Sequence, residues 1–437
     1  MKVFLDSVGC RLNQSELELM ASDLRLGGAQ LVGSPELGEA IVLNTCAVTQ
    51  DAAADSRKLA RRMRRRNPHA RLILTGCWVT LDPGAARRIA TQAEVVPNAQ
   101  KQVIASLVLG DRPRPPAAGG EGARSPIPGR RHRVRGFVKA QEGCSATCAF
   151  CLTRLVRGPA RSVPAPVVVQ RVQQSIAGGA REIVLCGVQL GAYGKDLGEH
   201  ASLESLVTLI LSETQGARLR LSSLEPWDLS NAFLALWQDE RLCLQLHLPL
   251  QSGSRATLER MQRPITPAEF ACLAASARAA IPDVALTTDL MAGFPGECEA
   301  EFSESLRFIE AIGFEGAHVF GYSPRPGTLA AKMPGQIDPP EVRRRVRALR
   351  SLASRARQGA LAAQVGGVAE AVWVSAQPAE GEGWQLRGLS STGFEVSVWS
   401  LRNLRGQCSQ VRITGVRGSQ LEAALLSNDR AAPAPLH

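Results

Sequence analysis

The stretch GCSATCAFC (residues 143–151) carries three cysteines, Cys144, Cys148 and Cys151, in a Cys-x-x-x-Cys-x-x-Cys spacing. A cluster of four irons ordinarily takes four cysteine ligands, so a loop with three leaves one iron with an open coordination position. An open position distinguishes a catalytic metal centre from a closed structural one. The stretch therefore predicts a reactive 4Fe-4S loop, and the repeated strand–helix units around it predict the barrel that holds such a loop.

The alternative for this loop is a zinc knuckle or a plain ferredoxin loop, either of which usually supplies a fourth cysteine or histidine within a few residues. The nearest candidates are His132, twelve residues upstream of the first cysteine, and Cys186, far downstream. We therefore favour the open iron. S-adenosylmethionine (SAM) would chelate that iron through its amino and carboxylate groups, and an electron from the cluster would then release a 5′-deoxyadenosyl radical.

Strand and helix patterns alternate from about residue 133 to residue 337. Six segments have the apolar composition of strands, with helical stretches such as APVVVQRVQQSIAGG (165–179) between them. Six units exceed a small doubly wound sheet and fall short of an eight-fold barrel. We expect a partial (β/α)6 barrel with active groups at the C-terminal ends of its strands. The six strand candidates are residues 134–141, 182–188, 219–224, 243–250, 284–294 and 316–322.

The first hundred residues show the same alternation on a smaller scale. Three apolar segments, joined by helical stretches, read as strands: VFLDSVG (3–9), EAIVLNTC (39–46) and ARLILTGC (70–77). Strands joined by helices of this length predict a parallel open sheet. The overall fold class is therefore α/β.

Three further cysteines follow these three strands. Cys10, Cys46 and Cys77 lie at or just past the C-terminal ends of the strands, and in a parallel open sheet those ends face one crevice. Gly9 and Gly76 would let the backbone approach a bulky group. We expect a second cluster site with three ligands here. The alternative is three separate buried cysteines, since free cysteine is often a small core residue.

The sequence pattern changes after an arginine-rich helix at about 340–363. Five short alternating segments separated by glycines predict a small five-stranded β-barrel of OB-like size. We thus expect five parts along the chain: an N-terminal domain with the second cluster (1–110), a linker (111–130), the partial barrel (131–364), the small barrel (365–428) and a disordered tail (429–437).

The 437-residue chain carries a net charge of +11, and the excess is clustered. Eight Arg or Lys and no acid lie between Arg57 and Arg71; further clusters are Arg130–Arg135 and the helix 341–357. Such clustering indicates a polyanion partner; solvated helix faces are the alternative. No run of 18 apolar residues and no secretion signal is present, so we expect no membrane partner and a cytoplasmic location with reduced thiols.

At this point the chain resembles the radical-SAM methylthiotransferases. The resemblance covers all three structured parts in the family's order, with the terminal barrel similar to a TRAM domain in texture alone. It is carried by VGCRLNQSELE (8–18), LNTCAVT (43–49), LTGC (74–77), the cysteine loop with RGPARSVP (157–164), EIVLCGVQLGAYGKDL (182–197), LHLPLQSGSRATLERMQR (246–263), TTDLMAGFPGECEAEF (287–302) and VFGYSPRPGTLAAKMPGQI (319–337).

The resemblance implies replacement of an unactivated C–H by a methylthio group. One SAM would be cleaved at the 4Fe-4S cluster of Cys144, Cys148 and Cys151, and a second would methylate sulfur held at the auxiliary 4Fe-4S cluster of Cys10, Cys46 and Cys77. A low-potential donor such as flavodoxin or ferredoxin would supply electrons. The residues expected to contact SAM from the strand ends are Gly187, Gln189, Ser222, Gln251, Gly293 and Gly296.

Three substrate branches of the family remain open. Two act on carbon 2 of adenosine 37 of tRNA, bearing an isopentenyl or a threonylcarbamoyl group, and the third modifies an aspartate of a ribosomal protein. The start GCRLNQSELE resembles the threonylcarbamoyladenosine branch, since the isopentenyl branch more often has Gln-Met-Asn where this chain has Arg11, Leu12 and Asn13. A non-catalytic RNA-binding iron–sulfur protein is the alternative outside enzymes.

Two features depart from the family's pattern. After Cys151 the family usually has an apolar pair, a proline and an aromatic, where this chain has Arg154 and Leu155. Tyrosine occurs only twice in the chain, so stacking on RNA bases would depend on Trp or Phe. The candidates are Trp373, Trp384 and Phe394, with barrel core as the alternative for each.

Overall fold

The computed structural model describes residues 1–89, 93–110, 125, 127–128 and 134–426. The expected linker (111–130), apart from residues 125, 127 and 128, and the expected tail (429–437) lie outside the described residues, as do Arg130, Arg131 and Arg133 of the second basic cluster. Within the described ranges, no helix combines the length and apolarity needed to cross a membrane.

The N-terminal part is a five-stranded parallel sheet in the order β2-β1-β3-β4-β5, which confirms the expected sheet and adds two short edge strands. Every residue of the central strand β3 is buried, as a strand covered on both faces requires. The strands are β1 (Lys2–Ser7), β2 (Gln30–Val32), β3 (Ala40–Thr45), β4 (Arg71–Gly76) and β5 (Glu94–Val96). The helices are α1 (Arg11–Leu26), α2 (Gln50–Arg66), α3 (Cys77–Leu81), α4 (Pro83–Ile89) and α5 (Ile104–Leu109).

The central part has six parallel strands in chain order, as expected for six βα units. They form two sheets, β6-β9-β10 and β11-β12-β13, joined by one bridge between Leu219 and Leu242. The strands are β6 (Arg135–Lys139), β7 (Gln141–Glu142), β8 (Arg161–Ser162), β9 (Glu182–Cys186), β10 (Arg218–Leu221), β11 (Gln245–His247), β12 (Ala285–Ala292) and β13 (Gly316–Gly321), with β7 and β8 forming a separate pair. The helices are α6 (Thr153–Arg157), α7 (Ala165–Ala177), α8 (Leu203–Glu213), α9 (Asn231–Leu234), α10 (Arg255–Arg260), α11 (Pro267–Ala280) and α12 (Glu299–Ile312).

Strand β11 is much shorter than the expected segment 243–250. Pro249 follows it two residues later and has no backbone N–H to donate to a neighbouring strand. Proline also disfavours extension of a central strand through its position. The sheet is therefore interrupted here, while the chain order of the six strands is kept.

The long helix α13 (Pro339–Ala363) leads into a closed five-stranded barrel in the order β14-β15-β16-β18-β17, which confirms the expected small barrel. Its strands are β14 (Val368–Pro378), β15 (Trp384–Ser390), β16 (Glu395–Ser400), β17 (Cys408–Arg417) and β18 (Gln420–Leu425). Trp373 and Phe394 are almost fully buried in its core, which confirms barrel core as the role of these two stacking candidates, and Trp384 is half-buried.

Buried charges join the small barrel to the central strands. Glu182, at the start of β9, accepts hydrogen bonds from Arg218 Nε at 2.8 Å and Arg220 Nη2 at 3.0 Å. The same two arginines donate across to backbone oxygens of the barrel, at Leu389 (2.6 Å) and Ser390 (2.9 Å). One buried carboxylate thus orients two arginines that hold the barrel against the amino ends of β9 and β10.

Candidate active site

The first cysteine set lies at the carboxyl edge of the N-terminal sheet. Cys10 immediately precedes α1, Cys46 follows β3, and Cys77 is the first residue of α3 directly after β4. The thiols are close enough that Cys10 and Cys77 each act electrostatically on Cys46, and together with burial they raise the pKa of Cys46 to about 11. The three residues that the sequence placed at strand ends are therefore neighbours in the structure.

Two glycines make this approach possible. Gly9 has φ +97°, and a Cβ at this position would lie 2.6 Å from Cys46 Sγ. Gly76 has φ +104°, and its Cβ would lie 2.2 Å from the carbonyl oxygen of Thr45. A side chain at either position would be strained and would also push the strand ends apart.

Polar neighbours orient the two buried thiols of this set. Asn98 Nδ2 lies 3.6 Å from Cys77 Sγ and donates to the carbonyl oxygen of Val156 at 2.8 Å. Ser56 Oγ accepts from the backbone N–H of Cys46 at 3.0 Å. Hydrogen bonds near sulfur ligands tune a cluster, so these are positioning groups for the first set.

The second cysteine set occupies the loop between β7 and α6. Gly143 starts the loop with φ +71°, where a Cβ would lie 1.9 Å from the carbonyl oxygen of Pro159. Cys144 N donates to Gly158 O at 3.1 Å, and Cys151 N donates to Cys148 O at 3.1 Å. The loop therefore curls on itself and is closed at its base by the segment that follows α6.

Each thiol of the second set has a polar neighbour. Cys144 Sγ donates to Gln189 Oε1 at 3.3 Å, and Arg263 Nη1 lies 3.8 Å from Cys148 Sγ. Burial raises the pKa of Cys144 to about 12 and that of Cys148 to about 11. Thiols with raised pKa values lose their protons when they bind iron, so ligand binding here is coupled to proton release.

One cavity of about 840 Å³ brings the two sets together. It is lined by Cys77 of the first set and Cys151 of the second, and by residues of α2, β12, β13 and α13. Gln251, Asp289 and Met291 contribute to the same wall. Its volume is within the range of small-molecule sites, and it is lined by cysteines of both sets.

The residues expected to contact SAM lie in different parts of the site. Gln189 lies beside the cysteine loop, where its Oε1 also accepts from Ser145 N at 3.3 Å, and Gln251, with φ +75°, lines the large cavity. Gly187 N donates to Ser222 Oγ at 3.2 Å at the ends of β9 and β10. These four residues remain a prediction as SAM contacts.

The other two expected SAM contacts, both glycines, pack against α13 and against the segment before it. A Cβ on Gly293 would lie 2.6 Å from Val342 of α13. Gly296 N donates to Gly335 O at 2.9 Å, and the nearest side chain to a Cβ there is Arg260. Both glycines have positive φ and make close packing turns, and neither lines the large cavity.

A buried ionic network between the two sets was not expected from the sequence. Arg157, the last residue of α6, donates through Nη1 to Glu16 Oε1 at 2.8 Å and through Nη2 to Asn13 Oδ1 at 2.7 Å. Lys101 also pairs with Glu16. Although burial opposes it, Lys101 and Arg157 hold the pKa of Glu16 well below its ordinary value. The only sequence signal was that these residues fall within NQSE and RGPARSVP.

The thiols fit the ligand set of iron–sulfur clusters. Within the described ranges, no three His, Cys, Asp or Glu side chains are gathered to hold a single metal ion. Each set offers three thiols, one fewer than a closed four-iron cluster takes. Gly9 lets the backbone before Cys10 pass directly beside Cys46, because a Cβ there would lie 2.6 Å from Cys46 Sγ.

Comparison with known proteins finds two family models that match this chain. The family described as "Uncharacterized protein family UPF0004" matches residues 2–97, and the Radical SAM superfamily matches residues 138–309. The structure of the radical SAM methyltransferase TsrM from Kitasatospora setae has a similar fold, with a TM-score of 0.58 at 14% identity over 76% of this chain and 75% of that one. The fold and these matches define a radical SAM enzyme.

Two groups of relatives are similar over most of their length. "Threonylcarbamoyladenosine tRNA methylthiotransferase MtaB" of Thermotoga maritima is 34% identical over 79% of this chain and 80% of that protein. "tRNA-2-methylthio-N(6)-dimethylallyladenosine synthase" of Moorella thermoacetica is 31% identical over 93% and 94%. The chain belongs to the radical-SAM methylthiotransferase family, and membership implies SAM and 4Fe-4S clusters as its cofactors.

Proposed function

We propose that this chain is a tRNA methylthiotransferase that adds a methylthio group to carbon 2 of threonylcarbamoyladenosine at position 37 of tRNA. The observation that carries the proposal is the single cavity lined by Cys77 and Cys151, because a reaction that needs a radical source and a sulfur carrier needs both at one substrate. A non-catalytic RNA-binding protein has no need of such a shared cavity.

The cysteines have separate roles in this proposal. Cys144, Cys148 and Cys151 hold the 4Fe-4S cluster that binds SAM, and Cys10, Cys46 and Cys77 hold the auxiliary 4Fe-4S cluster. When bound, these groups supply the radical and the methylated sulfur. The protein places them and excludes water. Gln189 orients SAM beside Cys144, and Arg157 keeps the two cysteine sets at a fixed separation.

An RNA substrate is supported by the charges around the cavity. The cavity is lined by Thr49–Asp51 at the start of α2, by Asp338 directly before α13, and by Arg343 and Arg350 within α13, so both arginine-rich helices contribute to it. Exposed arginines such as Arg343 and Arg350 attract a phosphate backbone. The small barrel (365–428) is assigned as a TRAM-like RNA-binding domain beside the N-terminal domain (1–110), the linker (111–130) and the partial barrel (131–364).

The branch within the family rests on the sequence features around the first cysteine, GCRLNQSELE. The second candidate is the isopentenyl branch, which the Moorella thermoacetica relative supports through its match to 93% of the chain. Because the substrate is a tRNA, we infer a cytoplasmic location. Because the clusters have to be reduced, we infer an electron donor such as flavodoxin or ferredoxin.

Nucleoside analysis of tRNA tests the proposal. Deletion of the gene should abolish methylthio-threonylcarbamoyladenosine while threonylcarbamoyladenosine accumulates, and the intact chain should restore the product. The Cys151→Ala variant is the matched control and should not restore it. Persistence of the product in the deletion strain contradicts the branch assignment, and loss of methylthio-isopentenyladenosine instead supports the second candidate.

A further inference from the structure

A second cavity of about 620 Å³ lies against the inner strands of the partial barrel, beneath the cavity shared by the cysteines. It is lined by His247 of β11, Thr287 of β12 and His318 of β13. Arg11 enters it from the start of α1, next to Cys10, and Arg350 and Arg357 enter from α13. The cavity is therefore surrounded by basic side chains from four separate elements of the fold.

Most of this positive charge is not matched within the described residues. Arg357 packs on the ring of Phe394 at 4.2 Å, and among the described side chains Arg11 and Arg350 have no ion pair or hydrogen bond partner. Arg11 is thus a half-buried cation at the wall of this cavity, where an anionic ligand would supply the missing partner.

The acids nearest the cavity already have partners. Asp289 Oδ1 lies 3.3 Å from His247 Nε2, and Glu182 is paired with Arg218 and Arg220. Burial lowers the pKa of His318, and the charge of Arg11 lowers it further, which places Arg11 within electrostatic reach of that ring. An anion at Arg11 would therefore meet no free carboxylate from these residues.

The second cavity adjoins the first at β13 and α13, where Arg350, Val319 and Phe320 line both of them. The basic cavity is placed to hold a group attached to the base that reacts.

We propose that this cavity binds the carboxylate of the substituent on the target adenosine, with Arg11 as the specificity-determining residue and His318 and Arg350 as further donors. The inference rests on the proposed function, because a threonylcarbamoyl group ends in a carboxylate and an isopentenyl group does not. Arginine recognises a carboxylate through two parallel hydrogen bonds. An apolar substituent would leave the Arg11 guanidinium buried and unpaired, which disfavours it.

Two synthetic anticodon stem-loop RNAs test the inference. One carries threonylcarbamoyladenosine at position 37, and the other carries its methyl ester, which keeps the shape and removes the charge. For the reconstituted wild-type enzyme we expect kcat/KM to be about tenfold or more higher for the acid than for the ester. In Arg11→Gln and His318→Asn the ratio should fall towards one, because turnover of the acid falls while turnover of the ester is kept.

Arg307→Gln on the outer helix α12 is the control for loss of one positive charge, since Arg307 is exposed and lines neither cavity, and its ratio should equal that of the wild type. Iron content and SAM binding of each variant show whether the neighbouring Cys10 site survives. Equal wild-type activity on acid and ester overturns the carboxylate pocket while the proposed function stands. Equal loss of both activities in Arg11→Gln also overturns it. Wild-type activity on an isopentenyladenosine stem-loop alone overturns the proposed function itself.

Discussion

Arg157 and Glu16, 141 positions apart in the chain, form a buried ion pair of 2.8 Å between Nη1 and Oε1. Glu16 belongs to α1, which begins directly after Cys10, and Arg157 ends α6, which begins two residues after Cys151. The pair therefore connects the elements that present one cysteine of each set. Each helix follows its cysteine within two residues of the chain. The distance between the two cysteine sets therefore depends on this contact between the helices.

Glu16→Gln tests the role of the pair. Removing the charge of Glu16 takes the buried carboxylate from Lys101 and leaves Arg157 with Glu142 as its remaining carboxylate, and we expect a loss of about 3 kcal/mol in the free energy of unfolding. SAM cleavage without methylthio transfer should increase, since the two sets are no longer held together. Glu36→Gln breaks the exposed ion pair with Arg66. It should change neither the free energy of unfolding, measured by chemical denaturation, nor the coupling of SAM cleavage to methylthio transfer. Unchanged stability of Glu16→Gln would contradict this role.

Gly9→Ala tests the close approach at the first set. The added Cβ would lie 2.6 Å from Cys46 Sγ, so iron at this set should be lost, while the second set keeps its cluster. Gly28→Ala is the matched control, because Gly28 also has positive φ (+83°) but has nothing within 4 Å of a Cβ. Both variants should lose about 1–2 kcal/mol of stability through backbone strain, and only Gly9→Ala should lose iron. Full iron content in Gly9→Ala would show that the first set tolerates displacement.

Iron analysis tests the assignment of two clusters. The reconstituted chain should contain about eight irons, and Cys77→Ala and Cys151→Ala should each contain about four. Of these two variants, only Cys77→Ala should still cleave SAM. Cys272→Ala, at an exposed cysteine outside both sets, should behave as the wild type. Four or fewer irons in the wild type, unaffected by Cys77→Ala, would refute the auxiliary cluster.

The strand patterns predicted the fold well because its units are local. The helical stretch 165–179 is observed as α7 (Ala165–Ala177), since a proline in its first turn and Gly178 after its last residue mark its two ends. The short edge strands β2 and β5 were missed, because three residues carry too little periodicity to be recognised. Strand β11 was overestimated, because its apolar run continues through Pro249 although its pairing does not.

The site could be predicted only where its residues share a local pattern. The six cysteines repeat one offset from strand ends or fall in one loop, so the sequence pointed to them. Arg157 and Glu16 are joined only by the packing of α6 against α1, and one sequence contains no signal for a contact over that separation. The basic cavity at Arg11 likewise exists only because α1, β11, β13 and α13 meet there.

Acid titration should weaken the attachment of the small barrel. Burial alone would raise the pKa of Glu182, but Arg220, Arg135 and Arg218 hold it well below its ordinary value. Its contribution to stability is therefore present above about pH 4.3, the ordinary value for a glutamate, and is lost as the pH falls through the lower folded-state pKa. Chemical denaturation between pH 7 and pH 3 should show a steeper loss for the wild type than for Glu182→Gln. Parallel pH profiles would exclude this linkage.

Binding of tRNA should depend on an aromatic that the sequence did not single out. Trp399 of β16 is 51% exposed, whereas Trp373 and Phe394 are enclosed in the barrel core. Its ring lies beside Gly383, and about half of the residue remains open to solvent, where a base can reach it. Stacking on one base contributes about 1–3 kcal/mol, so Trp399→Ala should raise the Kd for tRNA by about tenfold in fluorescence anisotropy. Leu401→Ala, at a neighbouring exposed residue without a ring, should leave the Kd unchanged. An equal effect of both variants would indicate general loss of apolar surface and not stacking, because only the tryptophan has a π face to offer.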